Sequence, residues 1–274
     1  MQLLVGFALG IVVGYTAARL GALTTSGAIA AAVIGGVIFG LGGLPWASLL
    51  LLFFISSSLL SRVGRRRKKP LDDNFAKGSQ RDHGQVLANG GVAAVLVLAH
   101  WYYPQQVGVW IAFAGGMAAV NADTWATELG VLSPTTPRLI TNGEFVPKGT
   151  SGGVTLVGYL ATLAGAGLIA LAAGLFAQPA SIIIPLVIVG GLTGATVDSI
   201  LGATYQGIYY CPSCEKETES HPEHRCGTRT EHIRGWRWVN NDIVNLICAM
   251  VGAGVALGGW SLDGVISRSQ RPGR

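Results

Sequence analysis

The chain has 274 residues, of which half are hydrophobic and only 12% are charged, and its formal net charge is +5. Its mean hydropathy is +0.48. This composition excludes an ordinary soluble domain and is typical of a membrane protein. The 40 glycines fit the same class, because small residues let transmembrane helices approach one another closely.

Long charge-free runs predict the membrane-spanning helices, since about 20 apolar residues are needed to cross a bilayer. Several runs are too long for one crossing and are divided at Pro45, at residues 101–104 and at residues 178–179, where Pro and aromatic residues are typical of turns at the membrane surface. Because Pro can also kink a helix, one bent helix around Pro45 is an alternative. The sequence therefore predicts an all-α integral membrane protein of about eight transmembrane helices, over residues 2–20, 27–43, 45–61, 84–101, 107–129, 152–176, 181–206 and 240–261.

The distribution of Lys and Arg predicts the orientation. With eight helices, all but three of the 19 Lys and Arg fall on one side of the membrane, the exceptions being Arg268, Arg271 and Arg274. By the positive-inside rule, the long loops lie in the cytoplasm of an inner or plasma membrane and both termini lie outside. The basic run at 65–69 is typical of an anchor against anionic lipid, so no nucleic-acid partner is expected. We interpret residues 1–262 as one membrane domain with a Cys/His loop inserted at 209–237, followed by a short polar tail at 263–274.

Four acidic residues interrupt stretches that are otherwise apolar enough for a membrane: Asp123, Glu128, Asp198 and Asp242. An ionised carboxylate in hydrocarbon costs several kcal/mol, so each is a candidate functional residue. At a rise of 1.5 Å per residue, Asp123 and Asp198 lie about 25 Å from the outer ends of their helices, at a depth similar to the start of the last helix. A single acid there could be a helix end that reaches headgroup water. The set favours one shared site, which is joined by the amides of Asn89, Asn121, Asn240, Asn241 and Asn245.

The adjacent loop supplies groups that bind anions. It consists of Lys148, Gly149, Thr150, Ser151, Gly152 and Gly153. The loop is predicted to run directly into the helix from 152, where free backbone N–H groups and the helix dipole favour an anion. The pattern is not a Walker A motif, and an ordinary glycine-rich helix start is the alternative.

Basic and amide side chains also precede the fourth helix. Arg81, Gln85 and Asn89 recur every four residues and therefore share one helix face, and Arg138 lies in the loop after the Asp123 helix. Guanidinium and amide groups suit a phosphate or its metal complex. The carboxylates beside them suit Mg²⁺, which prefers hard oxygen ligands.

A second cluster of metal-ligating residue types precedes the last helix. Cys211 and Cys214 are followed by His224 and Cys226, a spacing that resembles a Cys₃His zinc knuckle, with His221 as the alternative histidine. Stable disulfides are disfavoured in a cytoplasmic loop, which supports the metal interpretation. A structural zinc is favoured over a catalytic one, because the spacing implies no open coordination position.

Six sequence blocks carry a resemblance to a known family: RDHGQVLANGG (81–91), NADTWATELG (121–130), PRLIT (137–141), VPKGTSGGVT (146–155), DSILGATYQ (198–206) and NNDIVNL (240–246). Through these blocks the chain resembles the integral membrane family described as domain of unknown function 92, which includes phytyl-phosphate kinases. The resemblance covers nearly the whole chain.

The resemblance implies a kinase that acts on an isoprenoid monophosphate. Such an enzyme transfers the γ-phosphoryl group of CTP, or of another nucleoside triphosphate, to phytyl phosphate or a related prenyl phosphate in the lipid bilayer. On this hypothesis Asp123, Asp198 and Asp242 hold Mg²⁺, Glu128 and Lys148 complete the catalytic set, and the other polar residues bind phosphate. The alternative is a transporter or flippase of a lipid phosphate or another anion, since intramembrane acids and glycine-rich helices are also transporter features.

Overall fold

The computed structural model describes residues 1–64 and 80–269. Within these residues eight helices form: α1 (Gln2–Arg19), α2 (Thr25–Val37, continued by a π-helical turn at Ile38–Gly42), α3 (Leu44–Leu60), α4 (His83–Tyr102), α5 (Val107–Gly130), α6 (Leu156–Phe176), α7 (Ala180–Thr204) and α8 (Asn241–Ser269). Six of them are long and apolar enough to cross a membrane, namely α1, α2 with its π-helical turn, α4, α6, α7 and α8. The helix α3 is shorter, with 17 residues, and α5, with 24 residues, carries Asp123 and Glu128 near its end.

The helix α5 is the centre of the bundle. Residues 110–122 are buried without interruption, and α5 packs against α6, α7 and α8 as well as α3 and α4. A helix that is apolar on every side can bury its whole surface against other helices only in such a central position. Its last two turns, which begin at Asp123, therefore emerge at one end of the bundle among the ends of other helices.

Glycines bring α5, α7 and α8 close together. A Cβ atom added to Gly252 of α8 would lie 2.5 Å from the Cβ of Ala119 and 2.6 Å from the carbonyl oxygen of Gly115, both on α5. One added to Gly190 of α7 would lie 2.6 Å from the carbonyl oxygen of Gly252. These approaches are too short for any real side-chain carbon, so the three helices that carry Asp123, Asp198 and Asp242 depend on glycine for their spacing.

We expect Gly252→Ala to destabilise the protein by about 1–3 kcal/mol, because the added methyl group overpacks the junction of three helices. Gly254→Ala is the matched control, since a Cβ there meets no atom within 4 Å. Alanine also has the higher helix propensity, so the control is expected to be neutral or slightly stabilising. The measurement is the thermal unfolding temperature of both variants in detergent, and equal temperatures would contradict the packing described.

Local sequence determines where several helices begin. The Oγ1 atom of Thr24 accepts a hydrogen bond from the Gly27 N–H at 3.1 Å and caps α2, and Thr155 caps α6 in the same way. Pro45 occupies the first turn of α3, and this helix begins directly after Gly43, which has a φ of 74°. Because Pro is tolerated at a helix start and a positive φ breaks the preceding helix, α2 and α3 are two helices and not one bent helix.

Two predicted helix boundaries were wrong. The helix α6 begins at Leu156 and not at 152, because strand β2 (Gly153–Val154) first pairs with strand β1 (Arg138–Leu139). The glycine-rich loop at 149–153 therefore leads into a strand and is not the first turn of a helix. The helix α8 continues past 261 to Ser269, so the predicted polar tail begins inside a helix. The basic run at 65–69 and the end of the tail at 270–274 lie outside the described residues.

The inserted loop folds as a small antiparallel sheet in the order β4-β3-β5, from strands β3 (Ile208–Cys211), β4 (Lys216–Thr218) and β5 (Glu231–Arg234). We call residues 208–234 the Cys/His module. Arg234 Nη1 donates hydrogen bonds to the carbonyl oxygens of Gly202 and Ala203, each at 3.0 Å. These oxygens belong to the last turn of α7, where helix carbonyls lack intrahelical partners. The module is thereby fixed to the end of the bundle at which α7 terminates.

Candidate functional site

A cavity of about 820 Å³ opens at this end of the bundle, where α5 and α7 end and α4 and α8 begin. Its walls also include the loop at 149–153 and part of the Cys/His module. The predicted residues that line it are Arg81, Gln85, Asn89, Asp123, Glu128, Gly149, Thr150, Ser151, Gly152, Gly153, Asp198, Asn240, Asn241, Asp242 and Asn245. The fold thus collects at one place residues that are far apart in the sequence.

Two carboxylates lie together in the wall of the cavity. Asp123 of α5 and Asp198 of α7 lie within hydrogen-bonding reach of each other. The Oδ2 atom of Asp198 is buried and has no hydrogen-bond partner among the described residues. Ionised carboxylates so close to each other repel, and a buried carboxylate oxygen needs a compensating charge. Asp242 lines the same cavity, but among the described residues its carboxylate is not gathered with those of Asp123 and Asp198 into a cluster of three ligand atoms. Carboxylate oxygens are nevertheless the donor type that Mg²⁺ prefers, and the ion keeps other positions for water or phosphate.

Arg81 provides positive charge at the cavity. Its guanidinium carbon lies 5.4 Å from the ring centroid of Phe53 and 5.8 Å from that of Phe54. Its backbone N–H and C=O both hydrogen-bond to the turn between α1 and α2. Burial lowers the pKa of Arg81, and the negative charge of nearby Glu128 partly offsets this decrease. A guanidinium is a permanent cation in proteins, so a cationic group that suits a phosphate lines the cavity together with the carboxylates.

The face shared by Gln85 and Asn89 has a double role. The Asp82 N–H donates to Gln85 Oε1 at 3.3 Å, and the Gln85 N–H donates to Asp82 Oδ1 at 2.9 Å. This reciprocal pair is a capping box that fixes the start of α4. The oxygen of Gln85 therefore serves the helix start, and Asn89, one turn further along, is the amide that this face offers to a ligand in the cavity.

Asn121 does not line the cavity, although the sequence places it two residues from Asp123. Its side chain is completely buried. Its Nδ2 donates to the carbonyl oxygen of Gly165 at 2.8 Å, and its Oδ1 accepts from Ser56 Oγ at 3.0 Å. Residues two apart on a helix point in different directions. Asn121 instead joins α3, α5 and α6 inside the bundle.

Arg138 and Lys148 are also not among the residues that line the cavity. Arg138 Nη1 donates to the carbonyl oxygen of Gly143 at 2.9 Å, and its guanidinium carbon lies 4.0 Å from the ring centroid of Phe145. The Lys148 ammonium donates to the carbonyl oxygen of Ser133. Both cations are used to hold the loop between α5 and α6, so the positive charge at the cavity comes from other residues.

Sequence reasoning missed several polar residues that line the cavity, among them Arg225, Arg237, Glu219 and Gln206. Glu219 Oε1 accepts hydrogen bonds from Ser151 Oγ at 2.9 Å and from Gln206 Nε2 at 2.8 Å. Gln206 ends the block at 198–206, which was a usable signal. Glu219 lies in a loop rich in charged residues and follows no spacing rule, so the sequence alone carried no signal for it.

The Cys/His module gathers four ligand atoms within 4.8 Å of one another, from Cys211, Cys214, His224 and Cys226. His224 Nδ1 lies 3.2 Å from the sulfur of Cys226. Three thiols and one imidazole fit the tetrahedral coordination of zinc. The alternative ligand His221 instead stacks on Tyr209, with ring centroids 4.4 Å apart. The structure thus selects His224 for the set.

The thiols of this set differ in acidity. Hydrogen bonds from Thr228 and His224 lower the pKa of Cys226 to about 6. The hydrogen bond with Cys226, followed by burial, raises the pKa of Cys214 to about 11. The thiolate is the form that binds a metal. One thiol is therefore ready to bind near neutral pH, and the other loses its proton when a cation takes up the charge.

The sequence matches the family model described as integral membrane protein DUF92 over residues 8–253. The chain belongs to this family. Membership in the DUF92 family confirms the predicted family and the predicted helical membrane fold. It also establishes that the protein is an integral membrane protein.

Curated relatives of the chain include plant and archaeal proteins. Protein PGR of Arabidopsis thaliana is 38% identical over 253 residues, which cover 84% of this chain and 86% of that protein. An uncharacterized membrane protein of Methanocaldococcus jannaschii is 35% identical over 187 residues, 67% of this chain and 75% of its own length. Protein VTE6, chloroplastic, of Arabidopsis thaliana is 23% identical over 242 residues, 86% and 64% of the two chains. No solved structure gives a significant match.

Proposed function

We propose that this protein is an isoprenoid-monophosphate kinase. It transfers the γ-phosphoryl group of CTP or another nucleoside triphosphate to a membrane-borne prenyl phosphate, phytyl phosphate or a relative, and forms the diphosphate. The observation that carries the proposal is the cavity at the end of the bundle, which combines paired carboxylates from α5 and α7 with the cation of Arg81. We also propose that this end of the bundle faces the cytoplasm, as the positive-inside rule predicts.

The chemistry needs little from the protein except position and charge. An oxygen of the prenyl phosphate bonds to the γ-phosphorus, the bond from that phosphorus to the β–γ bridging oxygen breaks, and the nucleoside diphosphate leaves. The attacking oxygen is already ionised near neutral pH, so no general base is required. The protein must hold two mutually repelling phosphates in line and offset the charge that develops between them.

The lining residues suit these tasks. Asp123, Asp198 and Asp242 would hold Mg²⁺ directly or through water, and the ion when bound supplies positive charge to the phosphate oxygens. Arg81 binds a phosphate, and the negative charge of nearby Glu128 stabilises the guanidinium cation. The loop at 149–153 also lines the cavity, and its backbone N–H groups would offer further hydrogen bonds to phosphate.

The helix α6 supports a lipid acceptor. Gly158 and Tyr159 line the cavity, while Leu156, Leu160 and Leu163 on the same part of the helix are exposed. In a membrane, an exposed leucine face contacts hydrocarbon. A prenyl phosphate can therefore keep its tail along α6 and place its phosphate in the polar cavity.

The test is a transfer assay on the purified protein in detergent, with Mg²⁺, γ-labelled CTP or ATP and a panel of prenyl monophosphates of different length. We expect label in a lipid diphosphate. Absence of transfer to every acceptor by folded protein would overturn the kinase proposal and leave the cavity as a binding or transport site. Detergent separates these classes, because transport requires a sealed compartment.

In this assay, Arg81→Gln is expected to lower kcat/KM by about 10- to 100-fold, because a hydrogen bond to a charged group contributes about 1.5–3 kcal/mol. Arg19→Gln is the matched control: Arg19 is exposed at the end of α1 and donates to the hydroxyl of Tyr15 at 3.1 Å. Its activity should equal that of the unaltered protein. If both variants lose activity equally, Arg81 is not a phosphate ligand.

A further inference from the structure

We propose that Glu219 is a positioning residue through which metal binding in the Cys/His module orders the glycine-rich loop of the cavity. The metal ligands and the loop belong to separate parts of the chain. Glu219 belongs to the module that carries the metal ligands, and its carboxylate contacts the loop. The folded module would therefore keep one wall of the cavity, the loop at 149–153, ordered.

One oxygen atom makes the connection. Glu219 Oε1 accepts from Ser151 Oγ at 2.9 Å and from Gln206 Nε2 at 2.8 Å. Ser151 is the middle residue of the loop at 149–153, and Gln206 lies two residues after the end of α7. Three segments therefore converge on a single carboxylate oxygen at the edge of the cavity.

The loop has reason to need this support. Gly149 and Gly152 both have positive φ values, 85° and 83°, and glycine loses more conformational freedom on ordering than any other residue. A Cβ at Gly152 would lie 2.5 Å from the Cβ of Ala203, so the loop is seated against α7. The hydrogen bond from Ser151 to Glu219 fixes the loop at its centre, between these two glycines.

The position of Glu219 depends on the metal ligands. Glu219 directly follows β4, and β4 pairs with β3 in a register that sets Lys216 opposite the ligand Cys211. The strands of the module have only three or four residues. A sheet of this size has too little apolar core to be stable by itself, so a metal at the four ligands supplies much of its stability. Loss of the metal releases β4, and with it Glu219.

The test is hydrogen–deuterium exchange of the full-length protein in detergent, which needs no substrate and so stands apart from the transfer assay. In Glu219→Ala, we expect exchange of the amides at 149–153 to rise about tenfold or more, while the module keeps its protection and its zinc. Glu219→Gln keeps an acceptor oxygen but removes the charge, so it should protect the loop as the unaltered protein does. Glu231→Ala removes an exposed acid of β5 in the same module, so it is the matched control and should leave the loop unchanged.

Chelation completes the test. Removal of the metal from the unaltered protein should raise exchange in both the module and the loop, whereas in Glu219→Ala it should raise exchange in the module alone. Four results would overturn the proposal: a protein purified without bound metal, a loop still protected after chelation, an unchanged loop in Glu219→Ala, or equal loss of protection in Glu219→Gln. The last would assign the role to the charge of Glu219 and not to its hydrogen bonds.

Discussion

Asp198→Asn is expected to lower the rate of prenyl-phosphate phosphorylation by more than about 100-fold, and Asp123→Asn is expected to do the same. Removal of a residue that only supports a metal ligand typically lowers activity by about 10- to 100-fold, and removal of the ligand itself should lower it further. The two carboxylates lie in contact, and Asn keeps the shape of the side chain while removing one of two repelling charges. The fold should therefore survive the substitution. The transfer assay measures the loss at saturating Mg²⁺ and nucleotide.

A second readout separates a metal ligand from a residue of general importance. Mg²⁺ should raise the thermal unfolding temperature of the unaltered protein, because a ligand that binds only the folded state stabilises it. This shift should be absent in Asp198→Asn. Asp263→Asn is the matched control, since Asp263 lies near the other end of α8 from Asp242, about 30 Å away at 1.5 Å per residue. Normal transfer by Asp198→Asn, or an equal loss in Asp263→Asn, would contradict the assignment.

The convergence of Asp123, Asp198, Asp242 and Asn89 could be predicted from sequence for simple physical reasons. Acids are rare in apolar runs, because hydrocarbon penalises them, so each one was conspicuous. The rise of an α-helix is fixed, so counting residues from a helix end gives the depth. Helices that alternate in direction across a bilayer then bring residues of equal depth to one level.

Side-chain direction and tertiary contact could not be predicted in this way. Asn121 lies at nearly the same depth as Asp123 but points into the bundle, where it bonds Gly165. Lys148 precedes the glycine-rich loop and yet donates to the Ser133 carbonyl. The contact of Glu219 with that loop joins residues 68 apart in sequence. In each case the outcome depends on which neighbour the fold supplies, and local spacing carries no information about that.

The second large effect concerns the Cys/His module. Cys211→Ala is expected to abolish zinc binding and to unfold the module, because zinc sites of this type commonly hold small domains that are unfolded without metal. Cys211 is completely buried at the end of β3 and contacts the sulfur of Cys226 at 3.5 Å. The remaining three ligands cannot complete a tetrahedral site, and the three short strands have no large core to replace it.

Metal analysis and limited proteolysis measure the two parts of this effect. The unaltered protein should carry about one zinc per chain and Cys211→Ala none, with new protease cleavage between residues 208 and 234. Cys248→Ala is the matched control, since Cys248 is a buried cysteine of α8 outside the four-residue cluster, and it should retain both the zinc and the resistance to protease.

Because one wall of the cavity belongs to the module, Cys211→Ala should also lose phosphoryl transfer while the helices keep their helical circular dichroism. Zinc retained in Cys211→Ala, or lost equally in Cys248→Ala, would show that the metal is bound elsewhere.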